Sequence, residues 1–331
     1  MAYFLKEMKG ARCLVLGGLG FIGSNTAHRL ASLGADVTVA DACLDPYGWN
    51  FANVKEIREK IDFVKADVRD KAAMEAAVEG MDCVFNCAGQ VSHLDSMTDP
   101  FLDLDINCRG ALVVLEACRR KAENAKIVYA GTRAQMGALR KTPGDEEQAD
   151  NPADIYGADK WAAEKYHLIY NSAYGLRATS LRINNTYGER HQMKHARYGI
   201  LNWFVRLALE GKEIQVFGDG SQARDYNYVA DVADAMVLAA QKGEADGKYY
   251  LLGSGKETRF LDMVKAVIAA AGSGSYRLVP WPPDRKAIEV GDFFVSYEKI
   301  RRELGWEPAT PLERGLKSTV EFYRERRTEY W

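Results

Sequence analysis

The chain has 331 residues, enough for one large domain or two smaller ones sharing an interface. A hydrophobic fraction of 47% and a charged fraction of 27% are those of an ordinary globular protein and exclude a disordered or low-complexity chain. The formal net charge of −2 gives no reason to expect a nucleic-acid partner, so each Arg and Lys must be judged by its position.

The opening stretch MAYFLKEMKGARCLVLGG sets charge ahead of apolar residues, as a secretion signal does. Its apolar part is too short, however, and runs into a glycine turn rather than a cleavage site. No apolar run in the sequence reaches membrane-spanning length, and the expectation is a cytoplasmic protein with no membrane partner. Six cysteines (Cys13, Cys43, Cys83, Cys87, Cys108 and Cys118) fall in the first 118 residues. Cys83 and Cys87 could mark a metal or redox site. Without paired zinc-type spacing, and with several inside apolar patterns, the six are read as buried reduced thiols and no metal is expected.

Strand and helix patterns then alternate. CLVLG (13–17) precedes a glycine turn and an amphipathic stretch to Leu33; DVTVAD (36–41), IDFVKAD (61–67) and DCVFNCAG (82–89) follow, separated by helical segments. A long helical pattern covers roughly 100–121, KIVYAG spans 126–131, a second long helix runs from about Tyr156 to Tyr174, and ATSLRINNTYG (178–188) is a further strand. Strands apolar nearly throughout, alternating with helices, predict an α/β, doubly wound parallel Rossmann sheet covered on both faces. After residue 188 the alternation changes, and a smaller, discontinuous C-terminal α/β domain for substrate is expected. The predicted division is 1–181 plus about 228–256 for the sheet domain, and about 182–227 plus 257–331 for the second.

GGLGFIG at 17–23 is a G-x-x-G-x-x-G turn between a strand and a helix. Gly17, Gly20 and Gly23 allow a pyrophosphate close to the backbone, and the helix start at Phe21, Ile22 and Gly23 supplies amide donors. Asp41, closing the second strand, can accept hydrogen bonds from both ribose hydroxyls and would repel a 2′-phosphate, so NAD is expected rather than NADP. Asp67 and Val68 end the third strand where an adenine would lie, and Ala88 and Gly89 end the fourth with small residues.

Tyr156 and Lys160 lie four apart on one helix face. A phenol titrating near ~10 needs positive charge beside it to act as a base at neutral pH, and Lys160 can supply it. Thr132, just after the strand KIVYAG, could hold a substrate hydroxyl against that phenol. GGLGFIG, Asp41, NCAG, the Thr132 loop, YGADK, LRINNTYG, GDGSQARDYNYVADV and LGWEPATPLERGL together resemble the extended short-chain dehydrogenase/reductases that epimerise, dehydrate or reduce nucleotide sugars.

That resemblance spans nearly the whole chain. It implies that Thr132, Tyr156 and Lys160 are the catalytic triad and that Asn107 is the family's helix asparagine near the cofactor. It also implies that Asn185, Arg224 and Arg285 meet the substrate diphosphate, with Gln215 and Phe217 of EIQVFG completing the substrate set. Gln90, Ser92 and His93 are expected to face the sugar, and His93 is either an extra acid/base or a hydrogen-bonding residue. The basic loop 189–199 either folds over the nucleotide or faces solvent. A homodimer through the helices near 100–121 and 156–174 is also implied.

In this family, 4,6-dehydratases carry an Asp-Glu pair after the Thr, and decarboxylases usually a Glu. Here the order is Thr132-Arg133-Ala134-Gln135, without a carboxylate. The expected reaction is therefore C4 epimerisation through a transient 4-keto sugar with tightly held NAD. The alternatives are dehydration, decarboxylation, 4-keto reduction, or a non-catalytic NAD sensor. Arg133 either contacts an acidic or phosphorylated sugar or faces solvent. Met136 and Glu189, which depart from the family pattern, are expected beside the sugar.

Overall fold

The computed structural model describes residues 5–287 and 289–331. Strands β1 (Arg12–Leu16), β2 (Asp36–Asp41), β3 (Ile61–Lys65), β4 (Cys83–Asn86), β5 (Lys126–Thr132) and β6 (Arg177–Ile183) form one sheet with Tyr249–Leu252. The order is β3-β2-β1-β4-β5-β6 and then Tyr249–Leu252 at the edge, every pairing parallel. The order reverses between β1 and β4, whose last residues Leu16 and Asn86 lie side by side. In a doubly wound sheet a crevice opens at that reversal, at the carboxyl ends of the strands.

Alternate residues along each strand face opposite sides, so both faces of the sheet must be apolar. Cys13 and Val15 pack with Ala27 and Leu30 of the Phe21–Ser32 helix and with Val232, Ala235, Met236 and Ala239 of the Val229–Gln241 helix. Leu14 and Leu16 pack with Met74, Ala77 and Val78 on one helix and Val113, Val114 and Ala117 on another. Each fully buried Val or Leu contributes about 1.5–3 kcal/mol relative to exposure. All six cysteines are free thiols, and Cys13 lies opposite Cys83 in the β1–β4 register.

The expected single helix over 100–121 is interrupted. It comprises Pro100–Asp103, a π-helical segment Leu104–Arg109, and Gly110–Lys121. The wider turn carries Asn107, whose amide Nδ2 donates to the Gln90 carbonyl (3.0 Å) and to Asp103 Oδ1 (3.0 Å). Bulges of this kind inside helices concentrate at functional sites.

A third core lies beyond the sheet. It joins Tyr187, Leu201, Phe204, Val205, Ile214 and Val216 to Met263, Val267, Leu316, Val320 and Tyr323. Parallel strands Glu213–Phe217 and Ser275–Val279 back the helices Ile200–Leu209, Phe260–Ala271 and Leu312–Glu325. This core draws on two separate stretches of sequence. Buried carboxylates tie it to the sheet: Asp231 accepts from the amides of Ala309 (3.1 Å) and Thr310 (2.9 Å), and Trp306 Nε1 donates to the Asp231 carbonyl (2.9 Å). Asp225 accepts from the Ser254 amide (2.6 Å), and burial raises its carboxyl to about 6 against these hydrogen bonds.

Candidate active site

A cavity of about 850 Å³ opens at the strand-order reversal and runs from the glycine turn to the third core. Gly17, Gly20, Phe21, Ile22, Gly23, Asp41, Asp67, Val68, Ala88 and Gly89 all line one end. Gly17 takes φ +69°, and a Cβ there would lie 2.8 Å from the Ala88 backbone, so only glycine lets the turn meet the end of β4. Gly20 caps the Phe21–Ser32 helix without any side-chain hydrogen bond. The first-turn amides are thus left for an anionic group at the positive end of the helix.

Asp41 accepts from the amides of Leu19 (3.1 Å) and Cys43 (2.9 Å), which fix its carboxylate at the end of β2. Burial pushes its pKa up against those two bonds. The guanidinium of Arg69 pairs with Asp67 (2.6 Å) and holds that carboxyl below the usual range. An uncapped helix start, a buried carboxylate and a floor of small residues fit NAD: Phe21, Ile22 and Gly23 would hold the pyrophosphate and Asp41 a ribose.

Thr132, Tyr156 and Lys160 converge on the middle of this cavity from β5 and the Ile155–Tyr174 helix. Thr132 starts a short 3-10 turn, with its hydroxyl accepting from the Ala134 amide (3.3 Å) and Gln135 Oε1 accepting from the Thr132 amide (2.7 Å). Burial pushes the Tyr156 phenol up to about 12, opposed by a hydrogen bond with the Thr132 side chain. Burial also brings Lys160 down to about 8, against the attraction of Cys87, Asp103 and Glu164. Its Nζ lies 4.2 Å from the centre of the Tyr129 ring. A phenol at about 12 is almost wholly protonated at neutral pH. Positive charge gathered in the cavity is what would make it a base.

His93 stands edge-on to Tyr156, with ring centres 5.1 Å apart. Its Nδ1 lies 2.5 Å from Asp154 Oδ2, and Asp154 caps the helix by accepting from the Gly157 amide (2.7 Å). Burial would raise the Asp154 carboxyl, but the hydrogen bond and charge of His93 leave it lowered. The sequence reading passed over Asp154, although an Asp three residues ahead of Gly157 at a helix start is a capping signal.

At the far end, Asn185, Gln215, Phe217, Arg224 and Arg285 line the cavity. Arg224 is buried, forms an ion pair with Glu289 and donates to the Ala223 (2.8 Å) and Gly291 (2.6 Å) carbonyls. Arg133 reaches the same wall, its Nε donating to Asn185 Oδ1 (3.1 Å). The 189–199 loop folds across the cavity rather than into solvent. Tyr198 donates to the Pro46 carbonyl (2.9 Å), Arg197 pairs with Asp95 (3.3 Å), and Ala196, Arg197 and Tyr198 form part of the lining.

Five expectations need correction. Gln90 and Ser92 do not line the cavity; Gln90 is turned into the protein, donating to Asp103 (2.7 Å), and Ser92 caps the His93–Thr98 helix. Met136 packs with Leu251, Phe293 and Val295 in a small apolar cluster, and Glu189 accepts from the Tyr228 hydroxyl (2.6 Å), so neither stands beside a sugar. Gln90, Ser92 and Glu189 are held by hydrogen bonds within the protein and Met136 by apolar packing, rather than by the cavity. Asn107 likewise lies behind the cavity wall, with a Cβ on Gly89 falling 2.7 Å from its Oδ1.

Residues 13–253 match the sequence profile of the NAD-dependent epimerase/dehydratase family. The UDP-glucose 4-epimerase of Mycolicibacterium smegmatis is 33% identical over 95% of this chain and 99% of its own length. A dTDP-glucose 4,6-dehydratase of Streptomyces niveus is 30% identical over 97% of this chain and 94% of its own. The crystal structure of Thermus thermophilus UDP-glucose 4-epimerase with NAD superimposes with a TM-score of 0.85 at 33% identity, covering 95% of this chain and 99% of that one. No helix among the described residues is long and apolar enough to cross a membrane. With a cavity built around a glycine turn, a buried carboxylate at the end of β2 and a Thr-Tyr-Lys set, and with a profile match over most of its length, this chain belongs to the NAD-dependent epimerase/dehydratase family.

Proposed function

We propose that the protein inverts C4 of a nucleotide-linked sugar by NAD-dependent epimerisation. The observation that carries this reading is the turn after Thr132. The side chains there are a guanidinium, a methyl and an amide, and Gln135 is consumed in holding the Thr132 amide. No carboxylate follows Thr132 to move protons at C5 and C6, as dehydration requires. Thr132 would orient the C4 hydroxyl and Tyr156 would take its proton, with Lys160 stabilising the phenolate. NAD, when bound, supplies a hydride acceptor and donor at C4. Asn185, Arg224 and Arg285 would anchor the diphosphate so that the keto sugar turns about that anchor and presents its other face. The 189–199 loop, crossing the cavity to Pro46, supports retention of the dinucleotide through the cycle.

The decisive experiment incubates the protein with nucleotide sugars and follows the C4 epimer by NMR together with NADH absorbance. Epimer without net NADH is expected; stoichiometric NADH or a 4-keto-6-deoxy product would overturn the reading. Tyr156→Phe should lower kcat by at least about a thousandfold while NAD stays bound, and full turnover by that variant would remove Tyr156 as the base.

A homodimer belongs to the same proposal. Phe101, Ile169 and Tyr174 are exposed on the elements expected to pair, Phe101 by 79%. A large apolar side chain left that open beside others fits an interface between copies.

A further inference from the structure

Arg133 lines the cavity with no ion-pair partner among the described residues. Among the described residues its only hydrogen bond is from Nε to Asn185 Oδ1 (3.1 Å), and its guanidinium lies 5.0 Å from the centre of the Phe293 ring. The carboxylates near it are already engaged. Glu289 is paired with Arg224 and accepts from the Gly291 amide (3.1 Å), and Asp154 is held by His93 and the Gly157 amide. Burial lowers the Arg133 pKa to about 10, with the nearby charge of Arg224 acting in the same direction and Glu289 and Asp154 opposing it. A guanidinium in that setting gains more than a surface one from an incoming anion.

Position says which anion. Arg133 follows Thr132 directly, and Thr132, Arg133 and Tyr156 line the same cavity. In the proposed cycle Thr132 and Tyr156 fix the C4 hydroxyl. On a pyranose ring the C5 substituent neighbours C4, whereas the diphosphate leaves from C1; Arg133 meets the diphosphate anchor Asn185 through Nε alone. Asn185 occupies Nε, so the two terminal nitrogens of Arg133 remain as an end-on fork, the geometry that matches a carboxylate with two parallel hydrogen bonds.

We propose that the sugar carries a carboxylate at C6 and that Arg133 is the residue that recognises it, making a nucleoside-diphospho-uronic acid the preferred substrate class. This rests on the nucleotide-sugar reading above and adds the charge of the sugar to it. Arg133 is a specificity residue here, while the chemistry stays with Thr132, Tyr156 and Lys160.

The test measures binding, so that it does not depend on the reaction assigned. Calorimetry on the NAD-loaded Tyr156→Phe protein compares UDP-glucuronate with UDP-glucose, the same pair on thymidine diphosphate, and each nucleoside diphosphate alone. The uronate should bind at least tenfold more tightly than its neutral partner. Adding Arg133→Gln should reduce that ratio to within about threefold with little change in affinity for the nucleoside diphosphate alone. Arg133→Lys, which keeps the charge without the fork, should retain an intermediate ratio and shows that the effect is not a folding failure. Equal affinity for the two sugars, or no binding of either, overturns the proposal. A loss on Arg133→Gln shared equally by sugar-free nucleotide also overturns it, since Arg133 would then serve the diphosphate. Uronate preference without any C4 epimer from the Tyr156-containing protein would instead sink the epimerase reading and leave this one standing.

Discussion

Replacing Gly23 by Ala isolates the link between the glycine turn and the cofactor. A Cβ built on Gly23 lies 2.3 Å from the Gly17 carbonyl oxygen, 2.9 Å from the Gly17 carbonyl carbon and 2.9 Å from the Gly18 Cα. All three are backbone atoms, so no side chain can swing aside. Restoring an ordinary contact requires the helix start and the turn to separate by about 1 Å, and overpacking of that kind costs roughly 1–3 kcal/mol. The separation falls where Phe21, Ile22 and Gly23 would hold the pyrophosphate. At tenfold per ~1.4 kcal/mol, NAD affinity should fall about 5- to 150-fold. The assay is NAD released per chain after purification, followed by titration of the stripped protein. Gly243→Ala serves as control, because nothing lies within 4 Å of its Cβ position. A Gly23→Ala protein with unchanged NAD content and affinity would refute the reasoning. So would one that loses thermal stability while holding NAD as tightly as before, because the strain would then have been absorbed elsewhere.

Two further outcomes follow from groups outside the reacting centre. Burial, and then the neighbouring Asp103, raise Asp159 to about 7, well above the ~4 of an unfolded chain. Between those values the native state keeps a proton that the unfolded state releases, so this group's contribution is complete below about pH 4 and is lost as pH rises through 7. Asp159→Asn should therefore raise the Tm more at pH 8 than at pH 5, by the equivalent of about 2 kcal/mol; parallel pH profiles for the two proteins would refute this. Phe101→Asp should shift the protein from dimer to monomer in sedimentation without altering its circular dichroism, and an unchanged sedimentation coefficient would remove Phe101 from the interface.

Much of the cofactor half was legible because it is written locally. A strand, a glycine turn and a helix start are contiguous from Cys13 to Ser32, and Asp41 closes the next strand, so pattern and spacing suffice to place them. Tyr156 and Lys160 were legible for the same reason, since i,i+4 on a helix fixes a shared face. Buried hydrogen-bond partners had no such local record. Gln90 was expected in the cavity, yet Asp103 lay within 2.7 Å of it once the π-helical segment brought Pro100–Arg109 against the end of β4. Nothing in the order of residues announced that turn.

The parallel sheet, the dinucleotide turn and the preference for NAD follow from residue order, because each depends on periodicity or on spacing within one or two elements, whereas the Thr-Tyr-Lys assignment rests on the family resemblance. Tertiary structure alone decided which polar side chains reach the cavity. His93 is held there by Asp154, sixty-one residues away, and Glu189 is withdrawn by Tyr228. Arg133, whose role the sequence left open, is aimed by Asn185 and left without a carboxylate because Arg224 has already taken Glu289. A buried polar group goes to whichever partner the fold brings nearest, and that choice is made by packing between segments distant in the chain.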